Sequence, residues 1–349
     1  MKTTGFLFTI AIPCLLILTI PFVSAQASGT TTYSIVHLSD TQNLATYYPD
    51  TYDFTFSYLE SKKIQYNISA IIITGDLVNS WNKKTEWTAY SHARNLTTIP
   101  IYVTAGNHDT NWGKNYQYYS LYTGEPKNNY VTAVKDFNFV GINYVDKSLA
   151  PQEFTALQQA IKNGSHTFTI IATHYYMNKE GRLSPLGNDI DRQLIVQPTL
   201  ILAGHVHADF IRVKIIGGNP VIEDLTNYQN GEPGGPTDKN YSAGTLYTVT
   251  AVDGRVVMLT SEIIRIFPKP SIDNESVLYD ITSQFSRSVP ATVPAVGEPV
   301  QTQHVAISIE NAGTVKGDRD DVFNFVKSGN AIINTGQSFW NFSHWFVFS

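Results

Sequence analysis

Five short apolar runs in this chain each stop at a residue type that binds metal ions, and that repetition constrains the fold more than any bulk property. The runs are Ser34–Leu38, Ala70–Thr74, Ile101–Thr104, Thr167–Thr173 and Thr199–Ala203. They lead into Ser39-Asp40-Thr41-Gln42, Gly75-Asp76-Leu77-Val78-Asn79, Gly106-Asn107-His108-Asp109, His174 and Gly204-His205-Val206-His207. β-Branched runs of this length, separated by segments of helical period, read as strands of an α/β layered fold. In such sheets ligands bind beyond the carboxyl ends of the strands, where the loops diverge and leave a crevice. All five ends are expected on one edge. Asn82–Leu96, with Trp87 and Tyr90 on one face, and Pro151–Lys162, with Phe154, Leu157 and Ile161 at helical spacing, read as helices. Tyr130–Tyr144 reads as a hairpin inserted before the second half.

After Gly204 the apolar period shifts toward two. Strands are expected near Phe210–Ile216, Thr245–Val252 and Arg255–Phe267, the last pair joined by an Asp253-Gly254 turn, and a second sheet is implied. With 349 residues, 42% of them hydrophobic, the chain can bury one large core and still carry an appendage. The boundaries expected are a leader at 1–25, a catalytic domain at 33–267 and, after the linker-like Val289-Pro290-Ala291-Thr292-Val293-Pro294, an accessory C-terminal region within 268–349.

The apolar run Phe6–Val23 followed by Val23-Ser24-Ala25 has the form of a cleaved signal peptide, with an uncleaved membrane anchor as the alternative. Either reading places the protein outside the cytoplasm, secreted or held at a membrane through its leader. The single cysteine, Cys14, lies inside that leader, so a cleaved protein has no disulfide and no thiolate ligand. Six Asn-x-Ser/Thr sites, including Asn67 and Asn163, are compatible with export. The net charge of -5 and the lack of a basic stripe exclude nucleic acid as an expected partner.

Any one of the five motifs has an ordinary alternative: Gly-Asp makes turns, Asn-His-Asp caps helices, and a lone histidine is often a core residue. Their joint order is harder to reach by chance. The series Asp-x-Gln, Gly-Asp-x-x-Asn, Gly-Asn-His-Asp, His and Gly-His-x-His resembles the signature of the calcineurin-like metallophosphoesterases over residues 34 to about 265. The resemblance implies a four-layer α/β/β/α sandwich and a dinuclear metal site. It places Asp40, Gln42, Asp76 and His207 on one metal, and Asp76, Asn107, His174 and His205 on the other, with Asp76 as the bridge. Two divalent ions, Mn, Fe or Zn, are expected from this mixed imidazole and oxygen set. A water between two cations loses its proton near neutral pH, so a metal-bridging hydroxide attacks phosphorus and no serine or cysteine nucleophile is needed.

His108 is the expected proton donor to the leaving oxygen, with Asp109 orienting it. Two departures from the commoner family pattern stand out. Gln42 replaces a histidine and offers a weaker amide oxygen. Asn79 stands where many members have a second aspartate and is expected to orient a ligand. Trp112, Tyr116, Tyr118, Tyr119, Tyr175 and Tyr176 crowd the loops after the ligands, either to stack a substrate ring or to pack the loops. The expected reaction is hydrolysis of a small-molecule phosphate ester, monoester or diester. The alternatives are a nucleotidase, which needs a larger C-terminal domain, and an exported metal-containing binding or cell-surface module with weak or no catalysis.

Overall fold

The computed structural model describes residues 29–145, 147–178, 180–206, 209–226, 230 and 242–266, together with strands at 315–318, 324–327, 331–336 and 343–348. The leader, His207 and most of the segment after residue 266 lie outside the described residues. No described helix is long and apolar enough to cross a membrane.

Two β-α-β-α-β units build the molecule. In the first, β1 (Thr30–Leu38), β2 (Ile68–Thr74) and β3 (Ile101–Thr104) lie parallel, connected through α1 (Gln42–Tyr47), α2 (Pro49–Lys62) and α3 (Lys84–Arg94). After the short helices α4 (Asn107–Thr110) and α5 (Gln117–Thr123), the hairpin of β4 (Tyr130–Val134) and β5 (Phe137–Ile142) opens the second unit. There β5 runs parallel to β6 (Thr169–Thr173) and β6 to β7 (Thr199–Ala203), with α6 (Pro151–Asn163) and α7 (Pro185–Gln193) between them. Parallel neighbours require crossovers of this length, and helices fill them because a helix satisfies its own backbone while covering the sheet.

The expected helices and strands reappear within a few residues of their expected ends. Sequence reading did not single out α2, whose Tyr52, Phe56 and Leu59 fall at i, i+4 and i+7 and are buried, with Pro49 in its first turn. It also passed over β9 (Asn219–Thr226). The later strands do not form a sheet of their own. β10 (Ser242–Val252) pairs antiparallel with β1, and β11 (Arg255–Ile266) with β10. β8 (Asp209–Ile216) pairs with β9, which lies parallel to β7. The C-terminal strands divide likewise: β12 (Val315–Asp318) adds to β8, while β13 (Asn324–Lys327), β14 (Ala331–Gly336) and β15 (Ser343–Phe348) extend the first sheet beyond β11. The sheet orders are therefore β13-β14-β15-β11-β10-β1-β2-β3 and β12-β8-β9-β7-β6-β5-β4.

Three apolar clusters define four layers. Ile35, Ile72, Phe139, Ile170, Leu202 and Tyr247 meet between the sheets. Val36, Ile73, Tyr52, Phe56, Trp87 and Tyr90 fill the space between the first sheet and α1–α3. Val140, Ile171, Phe154, Leu157 and Ile190 do the same between the second sheet and α6–α7. The central strands are thus apolar on both faces, which accounts for their continuous rather than alternating hydrophobic runs. The expected α/β/β/α sandwich is the fold observed. Phe139, wedged against Tyr102 and Tyr130 with ring centroids 5.2 and 5.8 Å away, typifies the inter-sheet core. Loss of a ring in such a setting costs about 3–5 kcal/mol.

Candidate metal centre

The parallel strands of both units end on the same side, so the loops after β1, β2, β3, β6 and β7 meet above the inter-sheet core. His174, after β6, is completely buried and lies at the middle of the cluster. Its Nδ1–H donates to the Thr74 carbonyl at 2.8 Å, which turns Nε2 inward. Around Nε2 stand Asn107 Oδ1 at 3.0 Å, His205 Nδ1 at 3.1 Å and Asp76 Oδ2 at 3.2 Å. Four lone-pair atoms thus face one small volume, and Asp76, His174 and His205 each offer an atom within 4.8 Å of the others'. Asp40 joins through its Oδ2, which accepts the His205 backbone N–H at 3.1 Å and the Ser39 hydroxyl.

Local backbone explains how five loops reach one point. Asp40, Asp76 and His205 all adopt left-handed conformations, with φ of 52°, 53° and 67°. Such values are uncommon outside glycine and turn the chain sharply at the strand end. Two glycines then allow close approach: a methyl at Gly106 would overlap Asp76 Oδ1, and one at Gly204 would overlap Ser39 Oγ and Asp40 Oδ2. The Gly-Asn-His and Gly-His motifs therefore carry their glycines to admit a carboxylate from another strand end, Asp76 on the neighbouring strand for the first and Asp40 of the other sheet for the second.

His108 lies at the rim, with its Nε2 4.0 Å from Asp76 Oδ2. Its orientation differs from expectation. The Nδ1–H donates to the backbone carbonyl of Asn79 at 2.8 Å, so Asn79 orients His108 through its main chain. Asp109 does not orient His108. Its Oδ1 accepts Leu77 N at 2.8 Å and Val78 N at 3.1 Å, and its Oδ2 accepts Gly106 N at 2.8 Å. A buried carboxylate must be satisfied by the nearest donors, and here these are the backbone amides of the two loops it ties together.

Electrostatics point the same way as geometry. Burial, with repulsion from Asp76 added, pushes Asp40 up to about 6 despite His174, Ser39 and the His205 amide. Burial and Asp76 likewise push Asp109 up to about 7. Burial works against ionised Asp76 too, but His174 and His108 hold its carboxyl below the ordinary value. His174 is drawn up to about 9, burial opposing and Asp76 prevailing. The group of carboxylates pulls on protons for the reason it would pull on a cation: buried negative charge exceeds the positive charge offered beside it.

The donor set fits divalent metal ions. Carboxylate, amide oxygen and imidazole converge with the imidazole tautomer of His174 set by a carbonyl behind it. Gln42, 8% exposed, has an Oε1 with no hydrogen-bond partner among the described residues, as a ligand atom awaiting a cation would. The structure thus brings together Asp40, Asp76, Asn107, His174 and His205, with His108 beside them; His207 falls outside the described residues. Sequence reading missed Tyr144, whose ring lies 6.0 Å from His174 and 6.3 Å from His205. It follows β5, a central strand rather than the hairpin's outer limb, and its place at a sixth strand end was the available signal.

A second buried charge cluster adjoins the site. Tyr176, two residues after His174, donates to Asp191 Oδ1 at 2.6 Å and to Glu223. Arg212 and Lys214 both pair with Glu223, and Lys214 also pairs with Asp191.

Comparison with known proteins accords with these features. A family model described as calcineurin-like phosphoesterase matches residues 33–209, just over half of the chain. A curated relative, the uncharacterized protein YvnB of Bacillus subtilis (strain 168), is 26% identical over 233 residues, which is 58% of this chain and 18% of YvnB. The chain thus spans under a fifth of that relative's length. Among solved structures, the purple acid phosphatase PPD1 from yellow lupin (Lupinus luteus) seeds aligns at TM-score 0.48 and 13% identity, covering 67% of this chain and 52% of that one. The calcineurin-like phosphoesterase YfkN from Bacillus subtilis aligns at 0.44 and 14%, covering 74% and 98%. GAP50, the anchor in the inner membrane complex of Plasmodium, aligns at 0.44 and 12%, covering 69% and 87%.

Proposed function

The chain belongs to the calcineurin-like phosphoesterase family, and we propose that within it this protein is a dinuclear enzyme that hydrolyses small phosphomonoesters or phosphodiesters. Membership favours a metal-dependent hydrolase of phosphoester bonds. The reading beyond that rests on one observation, the meeting of Asp76, Asn107 and His205 around His174 Nε2. Asp40, Gln42, Asp76 and His207 would hold one divalent ion, and Asp76, Asn107, His174 and His205 the other, drawn from Mn, Fe and Zn. Bound there, the two ions would supply a water activated for attack and would neutralise the phosphoryl oxygens.

The remaining steps fall to the chain's own groups. Asp76 has two carboxylate oxygens and suits the shared position, with its Oδ1 fixed by the His108 amide at 3.0 Å. The Thr74 carbonyl holds the Nδ1–H of His174, so the proton a cation would displace is the one on Nε2. His108, its Nδ1–H secured by the Asn79 carbonyl, presents Nε2 to the leaving oxygen and hands it a proton as the phosphorus–oxygen bond breaks. Asp109 keeps the two ligand loops in register. An extracytoplasmic location belongs to the same proposal, supported by the apolar run Phe6–Val23 and the small residues after it; N-terminal sequencing of the exported protein tests it.

The deciding experiment is hydrolysis of paired aryl phosphate monoester and diester substrates after chelation and after separate addition of Mn, Zn or Fe. Metal-restored turnover is expected and sorts monoesterase from diesterase. Metal binding without turnover of either ester would replace this reading with that of a metal-containing binding module.

A further inference from the structure

Of the aromatic residues that crowd the ligand loops, most are accounted for by packing. Tyr119 is fully buried, Tyr116 and Tyr118 pack against the cluster on the first sheet's helix side, and Tyr176 is engaged by Asp191 and Glu223. Three differ. Tyr175 lies 4.5 Å from the His205 ring, between ring centroids. Tyr144, only 4% exposed, packs its ring against those of His174 and His205 and backs the surface between them. Trp112 stands on Tyr144 at 6.1 Å with the rings 74° apart, and 53% of it is exposed.

Trp112 is also held in an unusual backbone state. Asn111, Trp112 and Gly113 are three consecutive left-handed residues, with φ of 52°, 58° and 76°. For a bulky side chain such a conformation is a genuine outlier, and it persists only where neighbours over-determine it. Here Trp112 N–H donates to the Asn107 carbonyl at 2.9 Å, and Gly113 N–H donates to Thr110 Oγ1 at 3.0 Å. Asn107 is itself one of the atoms' sources in the metal centre, so the strained turn is tied to the site. Tyr144 is fixed from behind: its amide donates to the Ala105 carbonyl at 2.9 Å, and its carbonyl accepts the Tyr116 hydroxyl at 2.9 Å.

We propose that Tyr175 and Trp112, backed by the buried ring of Tyr144, form an aromatic subsite for the organic group of the substrate, and that the preferred esters are those of planar aromatic or heteroaromatic alcohols. The proposal rests on the phosphoesterase reading for the position of the phosphorus. The wall starts at a ligand histidine and runs outward to an exposed indole, so a phosphoryl group at the metal centre directs its ester substituent along it. A flat ring covers the indole face and gains stacking, which a flexible alkyl chain does not supply. Neither a basic patch nor a hydrogen-bonding pocket is required, and recognition is by ring face.

The test uses the metal-loaded protein and two paired readouts. For 1-naphthyl phosphate and glycerol phosphate, Trp112→Ala is compared with wild type through kcat/KM, so that differences in leaving-group reactivity cancel within each ratio. The loss on the naphthyl ester should exceed that on the glycerol ester by about fivefold or more, and Trp112→Phe should recover most of it. In parallel, calorimetry measures binding of 1-naphthylphosphonate and butylphosphonate, which cannot be hydrolysed at the ester position; Trp112→Ala should weaken the former selectively by a similar factor. Turnover of both esters with equal losses, or with no loss, overturns the aromatic subsite and leaves the hydrolase reading intact. Selective phosphonate binding without turnover of either ester overturns the hydrolase reading and leaves the subsite standing.

Discussion

Two clusters of buried charge lie near each other in this protein and are completed in opposite ways. Glu223 and Asp191, on the outer side of the second sheet, meet Arg212 and Lys214, with the Tyr176 hydroxyl between the carboxylates. Fixed side-chain cations cancel fixed anions, and the cluster is finished when the chain has folded. At the strand ends, Asp40, Asp76 and Asp109 are buried together, and among the described residues no lysine or arginine pairs with them. Imidazoles and backbone amides are their partners. The first cluster fastens the loop after His174, while the second is arranged so that its remaining charge is met from outside. A buried anion that the chain could have paired with its own cation, and did not, marks the place where chemistry is done.

The contrast can be broken most sharply at Asp76. Asp76→Asn removes the charge proposed to be shared by two metal ions and should lower aryl phosphate turnover by roughly a thousandfold, about 4 kcal/mol, with loss of bound metal by elemental analysis. Full metal content with near-normal turnover would falsify its bridging role. His108→Ala should lower turnover by roughly a hundred- to a thousandfold yet keep the metal, and the deficit should grow for esters of poorer leaving groups. Metal loss in that variant would instead make His108 a ligand. At the self-neutralised cluster the signature reverses: Glu223→Gln leaves the buried Arg212 without its carboxylate and Lys214 with Asp191 alone, and should cost about 3 kcal/mol of stability in urea unfolding, with metal stoichiometry unchanged. Unaltered stability would mean the cluster is not a fastening.

The smallest effect distinguishes the clusters by pH. Asp40 has its folded pKa raised to about 6 from 3.8, chiefly by burial, so the stability it contributes is complete below 3.8 and fades as pH rises through 6. His174, raised to about 9 from 6.5 by Asp76 against burial, contributes stability that is complete below 6.5 and fades as pH rises through 9. Asp76, lowered by His174 and His108 against burial, works the other way and loses its contribution only in acid. In chelator, stability should therefore fall as pH climbs from mildly acidic to alkaline. Divalent ions replace those protons, so the stabilisation by metal, about 2.7 kcal/mol at a hundred times its Kd, should widen over the same range. Thermal unfolding with chelator and with Mn, compared across pH, checks this, and a gap that does not change with pH would count against a cation in the site.

Much of the site was legible because strand ends and ligand chemistry are both local properties. Asp40, Asp76, Asn107, His174 and His205 each follow a recognisable apolar run, and the rule that parallel strands present their carboxyl ends to a ligand brings them together without coordinates. What escaped has a common cause. The partner of Asp109 is a set of amides, and the partner of His108 is the Asn79 carbonyl, and backbone groups carry no residue identity to read. Likewise β8 and β9 join one sheet and β10 and β11 the other, a choice made by the inter-sheet core rather than by any period within those strands. α2 was hidden because its buried stripe is written in Tyr, Thr and Phe, residues with no strong helical preference of their own.

The division of the ligands between two sheets also sets a clock. Asp40, Asp76 and Asn107 come from the first β-α-β-α-β unit, whereas His174 and His205 come from the second, and the strands that carry them are separated by the β4–β5 hairpin. During synthesis the carboxylate-bearing unit is made first, before the imidazoles that complete the candidate donor set. A chain terminated before residue 174 would therefore lack the nitrogen half of the candidate metal site.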